Sequence, residues 1–215
     1  MSHDTLPLDF SELPEAEMRE RVRAFYEAMK QRRTVRDFSD RDVPREIIET
    51  AILTAGTAPN GANHQPWFFC VLGKGPLRTR LREAAEAEER AFYEGKAGEE
   101  WLDALAPLGT DASKSFLEIA PWIIAVFAQR RGGPNPGDDR KNYYVSESVG
   151  IACGLLIASL HQAGLATLTH TPNPMSFLTQ ICERPSSEKP MMLVVAGYPE
   201  NDARVPAHAL HKKAL

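Results

Sequence analysis

The chain has 215 residues, 43% of them hydrophobic and 25% charged, with a formal net charge of −4. That length suits one domain with a sizeable core, and the acidic balance excludes nucleic acid as the main partner, because phosphate backbones call for a basic face. Cys70, Cys153 and Cys182 form no C-x-x-C or Cys/His ligand spacing, and His64, His161 and His170 show none either, so neither a disulfide framework nor a metal site is expected.

The opening residues, MSHDTLPLDF, have neither a basic nor an apolar region of the signal-peptide kind. No stretch approaches the about 20 apolar residues of a membrane span. A cytoplasmic location and no membrane partner are the expectation. The run SELPEAEMRERVRAFYEAMKQ predicts a helix with Ser11 as cap, Pro14 near its first turn, and Met18, Val22, Phe25 and Met29 as one apolar stripe. Arg32, Arg33 and Arg36 crowd together where that helix should end. They read either as a solvated helix end or as a local anion site, and in an extended segment Arg32, Thr34 and Arg36 would project to one side. Paired guanidiniums and a hydroxyl suit a phosphate and a polyol.

VPREIIETAILTAG predicts a second helix, with Pro44 in its first turn, Gly56 as its stop, and Ile47, Ile48, Ala51, Ile52 and Ala55 on the buried face. APNGANHQPW is a loop that runs into WFFCVL, a buried strand. Residues 76–96 form a charged helix with a thin apolar face of Leu77, Leu81 and Ala84. PWIIAVFA, residues 121–128, is a second buried strand, and 130–141 is a surface excursion. Residues 146–164 are a nearly all-apolar helix closed by Gly164, suited to a core centre or an interface. LATLTH and MMLVVAG add two strands, and the tail ends HKKAL. Strands alternating with helices give a mixed α/β (α+β) layered domain.

The stretch RRTVRDFSDRDVPREIIETAILTAGTAPNGANHQPWFFCVL resembles the opening signature of the nitroreductase-like FMN flavoproteins, and the likeness continues through GIACGLLIASLHQAGLATLTHTP and EKPMMLVVAGYP. Within that superfamily the chain looks most like the iodotyrosine deiodinase branch. The resemblance implies a single domain over 1–215, with a central mixed sheet flanked by helices and an intertwined homodimer. It implies FMN, held by Arg32, Arg33, Thr34, Arg36, Asn60, Gly61, Thr169, His170, Thr171 and Lys212. Asn60 stands where the family has serine, His170 where it has threonine, and Lys212 where it has arginine. Arg36 and Thr171 are expected to tune the ring, one as a cation and the other as a hydroxyl donor at the ring nitrogen that favours single-electron steps.

The resemblance also makes residues 76–118 a helical lid over the substrate. Glu89 and Tyr93 stand at i, i+4 and share one helical face, and Lys114 follows before a buried strand, which is the branch's halotyrosine pattern. Glu89 and Lys114 would bracket the amino and carboxylate groups, Tyr93 would cover the ring, and Ala62 would offer its backbone N–H to the phenolate. Trp101 and Leu117 also match. Taken singly, Glu89 sits in a run of ordinary surface pairs and Tyr93 suits helix packing. The expected function is reductive removal of halide from mono- or di-halotyrosine by reduced flavin, with NAD(P)H as the candidate ultimate donor. A broad NAD(P)H-dependent nitroreductase or quinone reductase is the alternative, and a non-catalytic flavin- or amino-acid-binding protein a further one.

Overall fold

Glu15 and Glu17 lie at the positive end of the first helix dipole, and α1 spans Glu15–Gln31 in the computed structural model, which describes residues 4–214. Pro14, and not Ser11, is its N-cap, because proline presets the backbone for a first turn that needs no donor there. None of its residues is buried, so the expected stripe of Met18, Val22, Phe25 and Met29 faces no core. Residues Met1–Arg32 form one compact unit and Arg33–Leu215 the other.

In the second unit, α2 (Arg45–Gly56) starts after Pro44 and buries Ile48, Ala51 and Ala55, as its periodicity predicts. Strand β1 (Trp67–Leu72) follows the loop. Helix α3 (Pro76–Ala91) gives way to a π-helical turn at Phe92–Lys96, then α4 (Glu99–Leu105) and α5 (Phe116–Ile119). Strand β2 (Trp122–Gln129) precedes a small hairpin, β3 (Arg131–Gly132) with β4 (Arg140–Lys141). Then come α6 (Val145–Gln162), β5 (Ala166–His170), α7 (Phe177–Ile181) and β6 (Glu188–Gly197). Gly164 has φ 78°, a left-handed stop after α6 that glycine adopts without cost.

The main sheet runs β1-β2-β6-β5, and every pairing between these strands is antiparallel. Among the described residues, parallel pairing is confined to the isolated bridge Thr34–Thr167, so the expected mixture in the sheet is met only at this edge. Central β2 explains the layering. Ile123, Ala125 and Phe127 face one cluster with Leu81 and Ala85 of α3, Leu117 of α5 and Leu178 of α7. Ile124 and Val126 face the other, with α2 and with Val149, Ala152, Leu156 and Leu160 of α6. A strand covered on both faces must be apolar at every position, which is why 121–128 shows no alternation.

One charged residue enters these layers against expectation. Arg78 is 1% exposed, because its guanidinium donates to the carbonyls of Leu117 at 2.5 Å, Leu72 at 3.1 Å and Ala120 at 2.8 Å. It shares the buried face of α3 with Leu81 and Ala85, whereas the expected Leu77 is exposed and Ala84 only half-buried. Burial lowers its pKa to about 10, against a raising effect of Glu118, which leaves it charged at neutral pH.

Candidate active site

Segment 33–39 is held at one end by the edge strand β5 and at the other by the residues that follow β6. Val35 N–H donates to Thr167 O at 3.1 Å and Ser39 N–H to Tyr198 O at 2.9 Å. Val35 is buried, so the alternation of an extended chain leaves its neighbour Arg36 half-buried at the end of β5. There Arg36 meets Thr169, His170 and Thr171 in the wall of a cavity of about 340 Å³. The 76–118 excursion adds Glu89 of α3, Trp101 of α4, Thr110 and Lys114 to the cavity lining.

Lys114 is 3% exposed and fully engaged. Its Nζ lies 3.3 Å from Glu89 Oε2, donates to Thr110 Oγ1 at 3.2 Å and donates to the carbonyl of Asp111. Its backbone N–H donates to Glu86 Oε1 at 2.8 Å. Tyr93 Oη donates to Thr110 O at 3.2 Å, and the Lys114 ammonium stands 5.8 Å from the Tyr93 ring centroid. Burial raises the Tyr93 pKa above its ordinary value, with the Thr110 hydrogen bond opposing and the Glu89 carboxylate adding to the rise. The phenol therefore stays protonated as a donor. Glu89, Lys114 and Trp101 line the cavity, Tyr93 stands beside Lys114 without lining it, and Leu117 sits in the core.

His170, which stands where the family has threonine, also lies in this wall. It is 8% exposed, lies edge-on to Phe116 at 5.6 Å, and its Nε2 is buried without a hydrogen-bond partner. Burial first, then the Lys114 and Arg36 cations, push its pKa down to about 3, so the imidazole is neutral at physiological pH. Arg36, the hydroxyls of Thr169 and Thr171 and this orphaned nitrogen form a donor and acceptor set that fits an oxygen- and nitrogen-rich planar ligand such as FMN. Among the described residues no His, Cys, Asp and Glu group is placed to hold a metal.

Other expected residues are not among those that line this cavity. Arg32 is the C-cap of α1. Arg33 is half-buried, and Thr34 is the bridge residue on Thr167. Lys212 is exposed and donates to Ala209 O at 2.9 Å in its own turn. Asn60, Gly61 and Ala62 lie in a strained loop packed against 142–144. Asn60 engages both ends of its amide locally, Nδ2 with Ala58 O at 3.0 Å and Oδ1 with Gln65 N at 2.8 Å. A Cβ on Gly61 would stand 2.8 Å from Tyr143 O, so only glycine fits. Ala62, Asn63 and Gln65 all have φ of 50–53°. His64 Nδ1 meets Asn142 Oδ1 at 3.0 Å, and Asn142 Nδ2 donates to Gln129 O at 2.8 Å. The second bond fixes the Asn142 amide, so His64 carries its proton on Nδ1.

Sequence reasoning missed Thr110, Glu86 and Arg78. Arg78 carried a signal: it stands at i, i+3, i+7 with Leu81 and Ala85.

The nitroreductase family profile matches residues 29–198. An iodotyrosine deiodinase of Haliscomenobacter hydrossis is 49% identical over 201 residues, covering 94% of this chain and 90% of that protein. Iodotyrosine deiodinase 1 of Homo sapiens is 41% identical over 202 residues, covering 94% and 70%. A crystal structure of oxidized iodotyrosine deiodinase bound to FMN and 3-iodo-L-tyrosine superposes with a TM-score of 0.75 at 28% identity, covering 89% of this chain and 96% of that one. The chain belongs to the nitroreductase family, in its iodotyrosine deiodinase branch.

Proposed function

We propose that this protein is an FMN-dependent oxidoreductase that removes halide from mono- and di-halotyrosines. The observation that carries the reading is the Glu89–Lys114 pair, one carboxylate and one ammonium 3.3 Å apart on the cavity wall. An amino acid presents one ammonium and one carboxylate, and it can exchange partners with such a pair without leaving a charge unanswered. Relatives named iodotyrosine deiodinase at 41–49% identity support the same conclusion.

The residues would act as follows. Arg36, Thr169, His170 and Thr171 hold the flavin from the β5 side, and Arg32, Arg33, Thr34 and Lys212 serve its phosphate and ribityl chain. Bound FMN supplies two electrons, which with one proton convert a carbon–halogen bond into carbon–hydrogen and a halide ion. Arg36, a fixed cation, stabilises negative charge on the reduced cofactor, and Thr171 offers it a hydroxyl. Glu89 binds the substrate ammonium and Lys114 its carboxylate. Tyr93 closes over the ring and excludes water. Ala62, held with φ 53°, presents its N–H to the phenolate. Residues 76–118 act as the lid of a single domain, 1–215. NAD(P)H is the proposed ultimate source of electrons.

A homodimer accounts for Asn60, Gly61 and Ala62 not lining the cavity, since a second copy would bring its loop there. The outward face of α6 supports it: Gly150, Ile151 and Gly154 are exposed, and nothing stands within 4 Å of a Cβ placed on either glycine. Small residues at i, i+4 let another backbone approach closely. Among the described residues no helix is long and apolar enough to cross a membrane, and the proposed location is the cytoplasm.

The test is titration of the FMN-loaded protein's flavin fluorescence with 3-iodotyrosine, tyrosine and a nitroarene. Preferential quenching by iodotyrosine is expected. Equal response to the nitroarene, with rapid NAD(P)H oxidation, would instead mark a broad nitroreductase.

A further inference from the structure

Glu86 stands one turn before Glu89 on the lid face of α3, yet its carboxylate meets a different part of Lys114. It accepts the Lys114 backbone N–H at 2.8 Å across 28 residues of chain, while Glu89 takes the ammonium. We propose that Glu86 is a positioning residue that makes Lys114 the fixed cationic pole for the substrate's carboxylate. The inference rests on the zwitterion reading above.

Three observations carry it. First, the Lys114 backbone is held on both sides, because its carbonyl accepts the Leu117 N–H at 2.9 Å while Glu86 holds its N–H. Second, Glu86 is itself tied into a charge relay. Arg82 Nε stands 3.7 Å from it, Arg90 Nη1 3.9 Å, and Arg82 Nη1 reaches Glu118 of α5 at 2.6 Å. Two guanidiniums answer its charge, so Glu86 does not compete with Glu89 for the substrate ammonium. Third, the Lys114 ammonium keeps Thr110 Oγ1 and the Asp111 carbonyl whatever Glu89 does.

The two poles are therefore unequal. When a zwitterion enters, Glu89 turns from Lys114 to the ammonium, and Lys114 receives the carboxylate without moving. A pre-placed cation loses little side-chain freedom on binding, which is the usual source of affinity in a pre-organised site. Removing Glu86 leaves the lysine charge in place but frees the backbone that carries it.

The experiment uses FMN-loaded enzyme and two ligands, 3-iodotyrosine and 2-iodophenol, the second lacking the amino acid portion. Glu86→Ala is expected to weaken iodotyrosine binding about tenfold while iodophenol binding stays within about twofold. Glu86→Gln retains an oxygen that accepts the Lys114 N–H, and iodotyrosine affinity is expected within about threefold of the unmodified enzyme. Glu86→Leu takes the place of the alanine variant, with the same expectation, if alanine prevents folding. Unchanged iodotyrosine binding in Glu86→Ala, equal loss of both ligands, or failure of glutamine to rescue would each overturn the proposal. An unmodified enzyme that does not prefer iodotyrosine to iodophenol would instead sink the zwitterion reading beneath it.

Discussion

Replacing Lys114 by glutamine probes the substrate end of the site most sharply. The substitution keeps the side chain's rough length but removes a cation that is 3% exposed, 3.3 Å from Glu89 and hydrogen-bonded to Thr110 and Asp111. A charge-assisted hydrogen bond in a desolvated site contributes about 1.5–3 kcal/mol. Losing the lysine's contact with the substrate carboxylate also leaves Glu89 without its resting partner, so the upper half of that range applies. About 2–3 kcal/mol corresponds to roughly 30- to 150-fold weaker iodotyrosine binding. Flavin fluorescence of the FMN-loaded variant measures it, with 2-iodophenol as the control that cannot use Lys114. The same change removes a cation beside His170, whose pKa should rise from about 3 while burial, the larger cause, keeps it below its ordinary 6.5. Histidine ring resonances followed against pH report that shift. Iodotyrosine affinity equal to that of the unmodified enzyme would refute the assignment of Lys114 and Glu89 to the two ends of an amino acid.

His170 also links stability to acidity. Its folded pKa of about 3 lies below the ordinary 6.5, so the unfolded chain takes up the proton first. Its contribution is complete above pH 6.5 and is lost as pH falls toward 3, at up to about 1.4 kcal/mol per pH unit. Urea unfolding at pH 7, 5.5 and 4.5 should show this slope reduced in His170→Asn, and an identical slope would contradict it. Arg78→Met should cost about 3–5 kcal/mol, because three buried carbonyls lose their donor together. A loss below about 1 kcal/mol in denaturant titration would show that water replaces it freely. Gly61→Ala should cost about 1–3 kcal/mol and disturb the 60–65 loop, since its Cβ would meet Tyr143 O at 2.8 Å. An unshifted melting temperature would show that the loop yields.

Periodicity and turn chemistry made much of the second unit legible. Strand β1 matches its apolar run residue for residue, and α2 begins after its proline and ends at its glycine. The unbroken run of β2 reflects a strand covered on both faces, which local pattern can express. Glu89 and Tyr93 were expected on one helical face, but α3 ends at Ala91 and Tyr93 lies in the π-helical turn that follows, a change of winding that local periodicity does not express. Other features depend on partners far along the chain and leave no local trace. The Arg78 guanidinium finds carbonyls 39 and 42 residues away, and Glu86 finds an N–H 28 residues away. Arg78, the first of three arginines in PLRTRLREAAE, looks like Arg80 and Arg82 unless its register with Leu81 and Ala85 is counted. The stripe on α1 misled for the opposite reason: helical spacing of apolar residues reports a face, and not what covers it. His170 shows a third limit. Its place in the strand was readable, but its neutrality follows from burial beside two cations, which only the assembled wall creates.

The central claim is that a flavin and an amino acid's two charges are gathered in one cavity for reductive loss of halide. Anaerobic addition of 3-iodotyrosine to the FMN-loaded protein, reduced with dithionite, tests it most directly. One equivalent each of iodide and tyrosine per reduced flavin, with return of the oxidised flavin spectrum, is the predicted result. A flavin that stays reduced and releases no iodide, while still giving its electrons to a nitroarene, would contradict it.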